Sequence, residues 1–122
     1  MDTSNWLPVK RADGETVGYL EPLVASYDRV CPRSVLGHAV LDSCDYFQGE
    51  ALLTERGIGE LMNHWMLRNA TSDGHGPLSI LEVSPAGIVV ADALLTKALA
   101  PTERIHLAWP DIDAALVPYP LD

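Results

Sequence analysis

Apolar and polar positions alternate on both sides of Asp13-Gly14, which predicts a β-hairpin between Leu7 and Leu20. A two-residue loop at this turn would mix charged and apolar side chains on each face. We therefore prefer a three-residue loop over 12–14, with its glycine in the left-handed conformation. This register places Val9 opposite Val17.

A second hairpin is predicted at Ser84–Gly87, because proline presets the first turn dihedral and glycine accepts a positive one. With a loop over 85–87, Val83 lies opposite Val89. Ile80 and Val90 then lie on the other face. Both faces of this hairpin carry apolar residues, so the predicted sheet needs cover on both sides.

Two further strands follow from shorter patterns. Ile105 and Trp109 belong to an alternating run that Pro110 ends, which predicts a strand before that proline. Residues 34–41 form a weaker strand pattern. Beyond Pro110 the tail carries two more prolines, which prevent a long helix and favour an extended strip.

A change of period predicts one main helix around 50–66, because Ile58, Leu61, Met62 and Trp65 fall on one helical face. The glycines at 57 and 59 are poor helix formers, so an alternative ends the helix near 63 and begins a strand at Trp65. The predicted fold class is α+β. Antiparallel hairpins form a sheet or a partly open barrel, accompanied by this helix.

Size and composition predict a single domain over 1–122. The chain has 122 residues, of which 48% are apolar and 20% charged, as in globular proteins. A chain of this length buries enough apolar surface for one hydrophobic core. We find no internal repeat.

Charge narrows the possible partners. Seventeen acidic residues against eight basic ones give a formal net charge of -9, which repels nucleic acid and anionic lipid. No apolar run approaches the ~18 residues of a membrane span, and the first residues do not form a secretory signal. We expect a cytoplasmic protein that binds neither nucleic acid nor membrane.

One local cluster of reactive residue types stands out. His38, Asp42, Cys44 and Asp45 lie within eight positions, and such groups bind zinc or perform acid-base and nucleophilic chemistry. Their spacing fits no metal signature, and the aspartates are common turn formers. They are weak catalytic candidates, and Cys31 is a further thiol that the sequence leaves open between core packing and reactivity. No cofactor or metal is expected.

The remaining histidines have ordinary interpretations. His64 is interpreted as a cap at a helix end, His75 as a loop residue and His106 as a residue on the exposed face of a strand. No glycine-containing segment has the spacing of a phosphate-binding loop.

Large apolar side chains suggest self-association. Tryptophan is enriched at the centres of protein interfaces, and an apolar second face on a hairpin can be covered by a twin subunit. The interface candidates are Trp6, Ile80, Val90 and Trp109. A homodimer is therefore the expected partner arrangement, and a small-molecule ligand is unknown.

Several short segments together resemble small uncharacterised actinobacterial proteins. They are Trp6–Val9, Gly14-Glu15, Val17–Leu20, Glu55–Gly57 with Trp65 downstream, and Ile80–Pro85. These positions are turns and core residues. The resemblance therefore implies a shared fold and carries no catalytic residue or ligand.

The leading functional hypothesis is a non-catalytic binding or protein-interaction module, and enzymatic activity is left uncertain. The alternative is a small-molecule-binding protein or enzyme with a pocket near His38, Asp42 and Asp45.

Overall fold

A computed structural model describes residues 2–68 and 77–120 of the chain. These residues form two compact units, Met1–Ile58 and Gly59–Asp122. Each unit contains one antiparallel sheet, and helices accompany the strands. The predicted α+β class is confirmed, and neither sheet closes on itself.

The first unit contains a three-stranded sheet in the order β1-β2-β3. Its strands are β1 Leu7–Lys10, β2 Thr16–Pro22 and β3 Val30–Arg33. Helix α1, Tyr46–Arg56, contacts all three strands. Sheet and helix together enclose a core of mostly aliphatic side chains: Val9, Val17, Leu20, Val30, Cys44 and Leu53.

The turn of the first hairpin is confirmed, but its predicted register is wrong. The Arg11 N–H donates to Glu15 O at 2.9 Å, and Gly14 has φ +87°, as the three-residue loop requires. Val17 then has no partner across the pair, so Val9 lies opposite Gly18. This bulge lets Val17 point into the core, which strict alternation would prevent.

Residues 34–41 do not form the predicted strand. The chain pairs earlier, in β3, and then turns sharply, because Ser34 N–H donates to His38 O at 2.8 Å. Ala39 returns to the sheet as a single bridge to Arg33.

The helical segment predicted around 50–66 is present, with a break. Gly57 caps α1 in a positive-φ conformation, and a short 3-10 helix follows over Gly59–Met62. The chain is extended again over β4, Trp65–Leu67. Of the two alternatives that the sequence left open, the strand at Trp65 is therefore the one observed.

The second unit contains a five-stranded sheet in the order β7-β6-β5-β4-β8. The hairpin strands are β5 Leu78–Ser84 and β6 Gly87–Asp92. The edge strands are β7 Arg104–Leu107 and β8 Leu116–Pro118. The predicted strand before Pro110 is thus confirmed, and the proline-containing tail contributes β8.

The second hairpin has a shorter loop than predicted. Ser84 pairs with Gly87, so the loop contains two residues, and Val83 lies opposite Ile88 rather than Val89. Leu81 is bulged, which brings Glu82 opposite Val89.

Strand β6 is buried on both faces within the chain itself. Ile88 and Val90 on one face are fully buried, as is Ala91 on the other, and Val89 is 7% exposed. The two-faced apolar character predicted for this hairpin is therefore real. Its cover does not depend on a second chain.

Two aspartates organise the ends of this sheet. Asp92 caps the short helix α2, Ala93–Lys97, by accepting from Leu95 N at 2.9 Å. Asp111 is buried and accepts from the backbone N–H groups of Ala115 and Leu116 at 2.9 and 3.0 Å, which shapes the turn into β8. None of the helices in the described residues has both the length and the apolar character that crossing a membrane requires.

Candidate functional site

The segment that contains the reactive cluster connects β3 to α1. His38 is half-buried at the turn after β3, and its N–H donates to Ser34 Oγ at 3.3 Å. Asp42 is exposed. Asp45 accepts from Gln48 N–H at 2.7 Å and caps α1, since its side chain replaces a helical acceptor that the first turn lacks.

The two cysteines are buried thiols in the first unit. Cys31 is 4% exposed and Cys44 2% exposed, and both are free. Burial raises the pKa of each thiol, because desolvation disfavours the thiolate. Cys31 Sγ also lies 3.3 Å from Leu41 O, as a donor. Protonated, buried thiols are poor nucleophiles, so this placement is that of core residues.

The residues of this sequence cluster therefore have separate structural roles. Cys44 belongs to the core and Asp45 to a helix cap. Within residues 2–68 and 77–120, no three His, Cys, Asp or Glu side chains come together as a metal-binding group.

The other histidines occupy ordinary positions. His64 is exposed between the 3-10 helix and β4, not at the end of an α-helix as predicted, and its carbonyl accepts from Tyr119 N–H at 3.0 Å. His106 is exposed on β7, as the strand pattern predicted. His75 lies outside the described residues.

Trp6 is 7% exposed and packs beside the three-stranded sheet. The Arg33 guanidinium carbon lies 5.3 Å from the Trp6 ring centroid. The ring centroid of Tyr19, on β2, lies 6.3 Å from the same point. Arg33 also forms a 2.9 Å ion pair with Glu21 and donates to Gly37 O. The cation-π contact thus packs Trp6 against Arg33, which the ion pair fixes within the same chain.

The other interface candidates differ in exposure. Val90 is fully buried, whereas Ile80 and Trp109 are half-buried. Buried side chains offer little area to a partner, so the surface available for association lies elsewhere.

Strand β7 has an open edge. Among the described residues its backbone pairs only with β6, and Arg104–Leu107 contains no proline. The other sheet edges are blunted. Pro8 interrupts β1, Pro118 ends β8, and β3 is covered by bridges to Ala39 and Cys44.

Two clefts adjoin β7, and one of them includes residues of both faces of the sheet. One, of about 530 Å³, is lined by Glu82, Ser84, Val89 and His106. The other, of about 310 Å³, includes Ile105 together with Leu78 and Leu95. Side chains of a strand added beside β7 would alternate between these faces.

The alternation of Arg104–Leu107 predicted the strand, but the sequence did not indicate that it lies at the edge of a sheet. Strand order depends on contacts between distant segments. Strand β8 forms the opposite edge, and its proline-containing sequence did not predict a strand.

Comparisons with known proteins add no relative: no family model matches this chain, and neither a curated protein nor a solved structure does.

Proposed function

We propose that this chain is a non-catalytic protein-interaction module that forms a homodimer by pairing β7 with the same strand of a second copy. The observation that supports the proposal is the open edge of β7, which lacks the proline or covering segment found at the other edges. Unpaired strand edges are common sites of strand addition.

The side chains of β7 allow this strand to pair with a second copy of itself. Ile105 and Leu107 lie on one face, and Arg104 and His106 on the other. A two-fold axis perpendicular to the sheet keeps each face continuous across the dimer, so apolar side chains meet the apolar side and basic side chains meet the side that carries Glu82.

A dimer test uses a charge inserted at the edge. We expect the wild-type chain to dimerise at high micromolar concentration and Ile105→Lys to weaken dimerisation by about tenfold or more, because an inward-pointing charge blocks strand pairing. Light scattering after size exclusion, with a dilution series, measures the change.

Val117→Lys on β8 is the matched control, since it places the same charge at the opposite edge of the same sheet. His106→Lys is a second test variant that alters an exposed side chain and spares the half-buried Ile105; it is expected to weaken the dimer, because the added charge lies on the face where Arg104 of both copies lies. A strictly monomeric wild-type chain, or equal weakening by Val117→Lys and Ile105→Lys, contradicts the proposal.

A further inference from the structure

Two exposed charges on one face of the second sheet lack ion-pair partners among the described residues. Glu82 lies opposite Val89, and Val89 lies opposite His106, so these three side chains form one row across β5, β6 and β7. Arg104, two residues before His106, points to the same face. Neither Glu82 nor Arg104 takes part in an ion pair in residues 2–68 or 77–120.

Resting on the proposed dimer, we propose that Arg104 of each copy enters the 530 Å³ cleft of the other copy and forms an ion pair with Glu82. Among the described residues that line this cleft, Glu82 is the sole carboxylate. Because the contact is related by a two-fold axis, it occurs twice in the dimer.

The distances allow this contact. Adjacent strands lie about 4.8 Å apart, so a second β7 would lie about 14 Å from the backbone of β5. In the register that places Arg104 opposite His106 of the other copy, the pair requires both side chains to extend along this row, over Val89 and His106. Glu82, His106 and Arg104 are exposed, so burial within their own chain does not hold the two charged side chains elsewhere.

The net charge of the chain makes the Glu82–Arg104 pair important for the specificity of dimerisation. Each copy carries a formal net charge of -9, so two copies repel one another at long range. A local pair of opposite sign compensates for this repulsion at one register and not at others. Glu82 and Arg104 are then specificity-determining residues of the dimer.

Charge reversal separates this pair from the general repulsion. Glu82→Arg makes each chain two charges less negative, so general electrostatics favours a tighter dimer. The proposal requires the opposite, a dimer weakened about tenfold, because the introduced guanidinium would face Arg104 of the other copy. Arg104→Glu weakens the dimer similarly, and the double variant restores affinity to within about threefold of wild type.

Glu50→Arg is the matched control. It changes the net charge equally at an exposed position of α1, in the other unit, and is expected not to weaken the dimer. Dissociation constants from sedimentation or light scattering at fixed ionic strength provide the readout.

The outcomes separate the two proposals. A wild-type monomer overturns both. If Ile105→Lys disrupts the dimer while Glu82→Arg leaves it unchanged or tightens it, the β7 dimer stands and the Glu82–Arg104 pair is overturned. Failure of the double variant to recover affinity also overturns the pair.

Discussion

Gly18 shows how closely the first sheet is packed at the scale of one residue. A Cβ atom at this position would overlap the carbonyl oxygen of Arg33 and lie 2.9 Å from Leu53 Cδ2. The carbonyl belongs to the backbone of β3 and cannot rotate away. The absence of a side chain at Gly18 therefore allows α1 and β3 to approach β2.

We expect Gly18→Ala to lower the free energy of unfolding by about 2–3 kcal/mol, since the added methyl group displaces a strand. Urea denaturation measures the loss. Gly59→Ala is the matched control, because a Cβ at Gly59 meets no atom within 4 Å. A loss at Gly18 no larger than that at Gly59 would show that β3 moves without cost.

At the scale of elements, helix α1 depends on its first residue as well as on its buried face. Asp45 supplies the side-chain acceptor for Gln48 N–H, and the first turn contains no acidic residue to assist it. Helix N-caps of this kind contribute about 0.5–2 kcal/mol.

Asp45→Ala is expected to cost about 1 kcal/mol of stability, whereas Asp45→Asn retains an acceptor and costs much less. Chemical denaturation of both variants provides the measurement. Equal losses in the two variants would mean that the carboxylate charge, rather than the capping hydrogen bond, carries the effect.

The elements themselves were more predictable than their pairing. The turn at Gly14, the hairpin before Gly87 and the strand over Arg104–Leu107 follow from local patterns, and all three are present. Both registers were wrong: Val17 is bulged in the first hairpin, and the loop of the second hairpin is one residue shorter than predicted. A bulge is set by packing against distant side chains, which alternation along one strand does not reveal.

Other elements lacked a distinctive pattern. Strand β3 is short and contains Pro32, and α2 spans only Ala93–Lys97. His38 and Asp45 lie close together in the sequence, which suggested a reactive site. In the structure His38 belongs to a turn, and Asp45 caps a helix. The open edge of β7 depends on strand order and was not predictable from the sequence.

At the scale of the whole molecule, acidic residues outnumber the basic residues that could pair with them. The formal net charge is -9, and salt bridges such as Arg11–Asp13 and Arg33–Glu21 each pair one acid with one base, which leaves that excess unchanged. Self-repulsion of this kind destabilises the compact state and is screened by salt.

We therefore expect the free energy of unfolding at neutral pH to rise by about 1 kcal/mol when ionic strength increases from about 0.01 to 0.15 M, as the screening length falls from about 30 to 8 Å. Urea titrations at one protein concentration test this. The same titrations near the sequence pI of about 4.6 serve as the control, where the effect should vanish. A fall in stability with salt at neutral pH would instead indicate that favourable ion pairs dominate.

Because of the bulge in β2, the first hairpin is expected to tolerate the loss of one residue from β2 better than from β1. Deleting Val17 joins Thr16 directly to Gly18 and leaves every remaining partner on β1 unchanged, at the cost of one buried side chain. Deleting Pro8 from β1 would instead turn its outer half over and send Leu7 to the opposite face. Homologues that are one residue shorter in this hairpin are therefore expected to have lost it from the second strand.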